Sequence, residues 1–314
     1  MAPAQINKTV ALTGATGFIG PYIITALVNA GYQVRALTRR AQPSQSHVIW
    51  IEGQLDDEQI LQQLFYGADL IIHAAGAIKA RSKAEFFHIN EYVCTLIAKA
   101  ALANDIKNFL LISSLAAREP GLSDYAASKA AGEDAIRAVL GEKHPWLILR
   151  PPAVFGPGDQ ETLKIFKFIN SGFAPLLHDE AKAAWIYVED LADACVTALD
   201  SPQAQFQALE LDDGSGGYLV KDSHKMVADL LGKTLRLVHI PSSLLTIIGA
   251  ANEFWAKISR KPAMLTRGKA RELSHKDWGI EGPTFADQSS WKPKTSLYEG
   301  LEKSLAWYKS QGLL

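Results

Sequence analysis

Thr9-Val10-Ala11-Leu12-Thr13-Gly14-Ala15-Thr16-Gly17-Phe18-Ile19-Gly20, followed at once by the helix-compatible stretch Tyr22 to Asn29, decides the fold of this chain. A short apolar run reads as a strand, three glycines at three-residue intervals as a tight turn, and the periodic stretch after them as a helix. In that order the three form a dinucleotide cradle. Gly14 lets the chain leave the strand sharply, Gly17 leaves room for backbone to approach a pyrophosphate, and Gly20 lets the helix pack closely on the sheet. The free N–H groups and positive dipole end of that helix suit phosphate, with Thr16, Phe18 and Ile19 as further candidate contacts. The spacing departs from G-x-G-x-x-G, and a tight loop with no ligand is the plain alternative.

Outward from the turn, apolar runs at Thr9–Thr13, Gln33–Leu37, His47–Ile51, Leu70–His73, Asn108–Ile112 and Trp146–Leu149 alternate with helical periodicity. Alternation of this kind predicts an α/β fold with a doubly wound parallel sheet of Rossmann type. Phe109-Leu110-Leu111-Ile112 is apolar throughout, as expected for a strand covered on both faces. Beyond about residue 155 the pattern loosens, with a loop at Asp212 to Gly217 and helical stretches at Lys221–Leu231, Ser242–Ser259 and Leu297–Ser310. The expected division is a dinucleotide-binding domain at 1–155, with a return segment near 184–212, and a mostly helical substrate lobe at 156–183 and 213–314.

Composition excludes several classes. The chain has 314 residues, is 48% hydrophobic and carries a formal charge of −1. No excess of Lys and Arg is available to track nucleic-acid phosphates. Cys94 and Cys195 sit singly in apolar stretches and read as buried thiols in a reducing, cytoplasmic setting. Scattered histidines give no metal-ligand spacing, so no metal is expected. Met1 to Lys8 is too short and polar for a signal peptide. No stretch reaches the roughly 18 uninterrupted apolar residues of an integral membrane segment. Ser242 to Ile258 comes closest, but Asn252, Glu253 and Lys257 interrupt it. It reads as an amphipathic helix lining a pocket or dimer face, with peripheral membrane contact as the lesser reading.

Two further places carry chemistry. The second strand ends in Arg39-Arg40, where an acid would bind ribose hydroxyls and a guanidinium suits a 2′-phosphate, so NADP is favoured over NAD. A solvated basic loop is the alternative. Tyr125 and Lys129 are four apart on a helix and share a face, so a fixed cation could bring the phenol below its ordinary value near 10. They follow the strand that ends in Ser113-Ser114, and ligands of such sheets bind beyond the carboxyl ends of strands.

These residues resemble the extended short-chain dehydrogenase/reductases, over most of the chain. Thr13–Gly20 is similar to that family's TGxxGxxG turn, His73-Ala74-Ala75-Gly76 to its fourth-strand element, and Tyr125/Lys129 to its YxxxK pair. Arg150 to Asp159, Trp185 to Ala194 and Trp291 to Leu301 continue the series. The resemblance implies that Tyr125 is the general acid/base and that Ser114 bonds the reacting oxygen, Ser113 being the alternative. It implies that Lys129 lowers the phenol pKa and holds the nicotinamide ribose, and that Asn90 supports the lysine through a water. Ala74, Ala75, Gly76, Ser113, Pro151 and Val154 would border the cofactor.

Departures narrow the expectation. Gln54-Leu55 stands where relatives often have Asp-Leu at the adenine, and a glutamine carbonyl can still accept that bond. Ala153 replaces the asparagine of many nucleotide-sugar enzymes, which argues for a small apolar or aromatic carbonyl substrate. The leading expectation is an NADP-dependent oxidoreductase, and the family tendency implies a homodimer. A sugar epimerase or dehydratase with tightly bound NAD(P), and a non-catalytic NADP-binding subunit, are the alternatives. His73, at the end of an apolar strand, is expected to be a core or cofactor-edge residue rather than a catalytic base. Lys79 and Arg81 read as a solvated loop, with substrate-anion binding as the sharper alternative.

Overall fold

The computed structural model describes residues 8–259 and 265–314. Seven parallel strands form the central sheet, in the order Gln207–Glu210, Trp146–Arg150, Asn108–Ile112, Leu70–His73, Thr9–Thr13, Gln33–Thr38, Val48–Glu52. Leu70 to His73 and Asn108 to Ile112 are buried along their whole length, as near-continuous apolar strands should be between two helical layers. One face is covered by Gly20–Asn29 and Val188–Ala198 through Ile23, Leu27 and Leu191. The other is covered by Glu58–Phe65, Val93–Ala103 and Asp124–Leu140 through Leu64, Ile97 and Ile136.

The six strands expected from sequence are present. The seventh, Gln207–Glu210, was not expected as a strand, because four residues with one glutamate and one glutamine show no apolar run. It pairs with Trp146–Arg150 along Leu147 to Arg150 and lies in the expected return segment. A third apolar cluster lies beyond the sheet, formed by Phe155, Phe166, Tyr187, Val227, Leu301 and Tyr308. Leu297–Ser310 enters that cluster through a capping box, in which Ser296 and Glu299 satisfy each other's backbone N–H groups.

The strand order reverses between Thr9–Thr13 and Leu70–His73, which opens a crevice beyond their carboxyl ends. The loops leaving these strands touch. A Cβ on Gly14, where φ is +77°, would stand 2.6 Å from the Ala74 carbonyl carbon. At Gly20 it would stand 2.3 Å from the Gly14 oxygen. Both positions need glycine for space, and Gly14 needs it for conformation as well.

Candidate active site

The cradle begins with Gly17 N–H donating to Gly14 oxygen at 3.0 Å. Helix Gly20–Asn29 starts after Ile19, which supplies no side-chain cap; Pro21 has no N–H and Tyr22 N–H donates to Ile19 oxygen at 3.1 Å, so the N–H groups open to an anion are those of Phe18, Ile19 and Gly20. Thr16 and Gly17 are exposed, while Phe18 and Ile19 are half-buried beside them. Tyr22 ties the helix to the opposite wall by donating from its hydroxyl to Pro157 oxygen at 2.7 Å. Across the sheet edge, Arg39 and Arg40 are exposed at the end of the second strand, and Gln54 is exposed after the third. Leu55 packs under the core.

Beyond the fourth strand, Asn90 organises Ala74 to Ala77. Its side chain accepts from Ala77 N at 2.8 Å and donates to Ala77 oxygen at 3.0 Å and Ser128 Oγ at 2.9 Å. This asparagine sits in a π-helical turn, His88–Tyr92, a widening that turns its amide toward the loop. A Cβ on Gly76 would lie 3.2 Å from Asn90 Oδ1 and 3.6 Å from Lys129 Nζ. The asparagine, the lysine and the loop backbone therefore meet at Gly76.

Helix Asp124–Leu140 starts at Ser123, whose Oγ accepts from Ala126 N. Tyr125 lies in its first turn, with its phenol hydrogen-bonded to Ser114 and its ring 6.1 Å from that of Phe86. Of the two serines, only Ser114 meets the phenol. Ser113 Oγ is turned inward and donates to Glu133 Oε1 at 2.6 Å, so its hydroxyl is taken up by the core. Lys129 is buried and donates from Nζ to Ile112 oxygen at 3.0 Å. Pro151 is buried and Val154 half-buried at the neighbouring strand end.

The electrostatics differ from expectation in one respect. Burial pushes the Tyr125 phenol up to about 12. Its bond to Ser114 draws it down, and the Glu272 carboxylate pushes it up. Lys129 is not among the groups that shift it; its ammonium donates to the Ile112 carbonyl, and burial lowers its own pKa. The phenol is thus protonated near pH 7, with no part of its shift coming from the lysine. Glu272 comes from the distant helix Arg267–Ser274, accepts from Ser123 Oγ and pairs with Lys269 at 2.8 Å. No spacing in the sequence links Glu272 to Tyr125, so sequence reasoning missed it.

Glu133 was also missed, although it follows Lys129 by four residues on the same helix. It is fully buried and bonded by Ser113, by Arg150 at 2.9 and 2.6 Å, and by Arg137 at 2.9 Å. His73 is buried, and its Nδ1 is 2.6 Å from Thr13 Oγ1. Burial, then the Lys129 charge, lowers it to about 3, so it stays neutral and serves as no base near pH 7. Lys79 is paired with Glu161 at 2.8 Å and Arg81 with Glu85 at 3.2 Å, both on the surface. Both cysteines are buried and unbridged. Among the described residues no three His, Cys, Asp or Glu side chains gather as metal ligands.

A doubly wound sheet, a three-glycine turn at its switch point and a Ser, Tyr and Lys group beside it define a nicotinamide-dependent enzyme of the extended short-chain type. The model of the NAD dependent epimerase/dehydratase family matches residues 10–210, and the chain belongs to that family. It is 38% identical over 314 aligned residues to a ceramide reductase of Caulobacter vibrioides, covering 97% of this chain and 96% of that protein. It is 22% identical to a UDP-glucose 4-epimerase of Vibrio cholerae, covering 96% and 95% of the two chains. Among solved structures, the Bordetella bronchiseptica enzyme WbmG in complex with NAD superimposes with a TM-score of 0.72 at 20% identity, covering 100% of this chain and 97% of the other.

Proposed function

We propose that this chain reduces a ketone on a long-chain amide lipid of the ceramide class, with NADPH as reductant. The supporting observation is the Tyr125–Ser114 hydroxyl pair at the carboxyl edge of the sheet, in a chain 38% identical along its length to a ceramide reductase. Residues 1–155 and the return segment 184–212 hold the cofactor in this reading, while 156–183 and 213–314 hold the lipid.

The residues present suit a pyridine dinucleotide. The turn into helix Gly20–Asn29 offers the Phe18, Ile19 and Gly20 N–H groups to the pyrophosphate, and Gly76 leaves open the space beside Lys129 Nζ and Asn90 Oδ1 that a Cβ would fill. When bound, the nicotinamide supplies the hydride. Everything else falls to the protein. Charge develops on the carbonyl oxygen as the carbon is reduced, and the Ser114 and Tyr125 hydroxyls stabilise it at a water-poor sheet edge. Tyr125, protonated near pH 7, hands its proton to that oxygen. Lys129, one helical turn further on, keeps its ammonium on Ile112 oxygen beside Gly76, where it would hold the nicotinamide ribose. Asn90 positions both helix and loop through Ser128 and Ala77.

Steady NADPH consumption with a ketone-bearing long-chain amide is the expected result, and none with any such lipid would overturn the reading. Arg39 makes no hydrogen bond or ion pair with a described residue and stands free for a 2′-phosphate. Losing a charge-assisted pair costs about 1.5–3 kcal/mol. Arg39→Ala should therefore raise KM for NADPH by about ten- to a hundredfold while leaving KM for NADH nearly unchanged. Equal KM values for NADPH before and after substitution would remove the arginine from cofactor choice.

A further inference from the structure

Helix Ser242–Ser259 is amphipathic in the wrong sense for a helix that buries its apolar side in the protein. Its inward face is small and polar. Gly249 is buried so closely against helix Arg267–Ser274 that a Cβ there would stand 2.8 Å from the Thr266 carbonyl carbon. Glu253, four residues on, pairs with Arg267 at 2.9 Å. The apolar stripe points the other way. Leu244, Ile247, Ile248 and Trp255 are 46, 65, 40 and 65% exposed. Their spacing of three, four and eleven residues from Leu244 places them within one narrow face. Four large apolar side chains exposed in one row form a patch rather than scattered surface residues.

The charge around this stripe indicates what covers it. Lys233 and Arg236, on the chain before the helix, and Arg267, Lys269 and Arg271, on the helix packed against it, are exposed. Between Lys233 and Lys276 the only acids are Glu253 and Glu272, and each is held by one of those cations. The whole chain has a formal charge of −1, so the basic residues are concentrated here and the rest is net acidic. A second copy of this chain, related by a two-fold axis, would bring the same cations against one another. An anionic bilayer offers both partners at once, acyl chains for the stripe and negative headgroups for its margins. No described helix is long and apolar enough to cross a membrane, so contact would be at the interface.

We propose that the outer face of helix Ser242–Ser259 docks on an anionic lipid bilayer, with its apolar stripe among the upper acyl chains. The flanking cations lie at the headgroups. The docked helix is directly joined to the candidate active site. Its packing partner, Arg267–Ser274, reaches the start of the Tyr125 helix through Glu272 on Ser123 and through Arg271 Nε on Leu122 oxygen at 2.7 Å. Docking therefore sets the Tyr125 end of the crevice near the membrane surface. Delivery of a lipid ketone from the bilayer is a consequence that rests on the function proposed above; docking itself does not.

Co-sedimentation of the full chain with vesicles, without substrate or cofactor, separates the two claims. The expected result is binding to phosphatidylcholine vesicles containing phosphatidylglycerol, and several-fold weaker binding to phosphatidylcholine alone or at high salt. The double variant Ile247→Glu/Ile248→Glu should lose binding by about tenfold or more, as two charges enter the apolar stripe. Circular dichroism and an unchanged Tm would show that the variant is folded. Should it unfold, Trp255→Ser takes its place, with a several-fold loss expected. Equal sedimentation of folded variant and parent, or no binding of the parent to either vesicle, overturns docking. So does a parent dimer that the variant converts to monomer, since a second copy would then cover the stripe. A chain that binds vesicles but reduces no lipid ketone keeps the docking surface and loses only the proposed activity.

Discussion

Tyr125→Phe is expected to bind NADPH as the parent does and to turn over about two to four orders of magnitude more slowly, the range for loss of an acid–base group. The substitution removes one oxygen and leaves the ring against Phe86, so packing is preserved. Two costs can be compared. Depriving Ser114 of its partner costs the fold about 1 kcal/mol. Removing the proton donor raises the barrier by about 2.7–5.5 kcal/mol on the same scale of a factor of ten per 1.36 kcal/mol. The kinetic effect dominates, and it should appear in kcat with cofactor affinity unmoved. Fluorescence titration with NADPH and steady-state assays measure the two separately. Turnover comparable to the parent would remove Tyr125 from the chemistry.

Glu133→Ala should lower folding stability by about 3–5 kcal/mol, the usual consequence of breaking a buried ion pair from one side. The carboxylate is fully buried, and its loss leaves the Arg150 guanidinium and the Ser113 hydroxyl without their acceptor. Urea denaturation reads this directly, and a loss below about 1 kcal/mol would show that the cluster relaxes around the gap. The pH dependence has a definite sign. Burial alone would raise the Glu133 pKa, but the Arg150 bonds and charge, Ser113 and Arg137 outweigh it and hold the carboxyl below its ordinary value. A depressed folded pKa stabilises the protein above the unfolded value, about 4.3 for glutamate. That contribution is lost as pH falls below it through the folded pKa. The parent should therefore lose stability to acid more steeply than Glu133→Ala, and parallel acid profiles would contradict the assignment.

The fold was legible in the sequence wherever local chemistry and tertiary demand agreed. Thr9 to Gly20 announces strand, turn and helix because the glycines answer to contacts made within that motif and at the adjacent Ala74 loop. Gln207–Glu210 was not legible, because an edge strand of four residues takes its conformation from pairing with Trp146–Arg150 rather than from its own side chains. At the candidate site, Tyr125, Ser114 and Lys129 are singled out by spacing and resemblance, while their electrostatics were not legible. Whether an ammonium lowers a phenol pKa depends on where the fold sets its charge, and Lys129 sits on Ile112 oxygen and acts on His73. Glu272 lies far along the chain from Tyr125, and tertiary contacts, Gly268 against Ser123 and Arg271 on Leu122 oxygen, bring its helix there. The outward apolar face of Ser242–Ser259 was visible as an interrupted apolar run. Which side it turned to solvent depended on Gly249 and Glu253 packing inward.

The most direct test of a reductase built on these residues is isotopic. NADPH carrying deuterium at the transferring C4 position is incubated with a ketone-bearing long-chain amide, and the product is analysed by mass spectrometry. The expected result is one deuterium on the new carbinol carbon for each NADPH consumed, abolished in Tyr125→Phe. Product that forms without label and without net loss of NADPH would contradict it, and would assign this chain the chemistry of an epimerase instead.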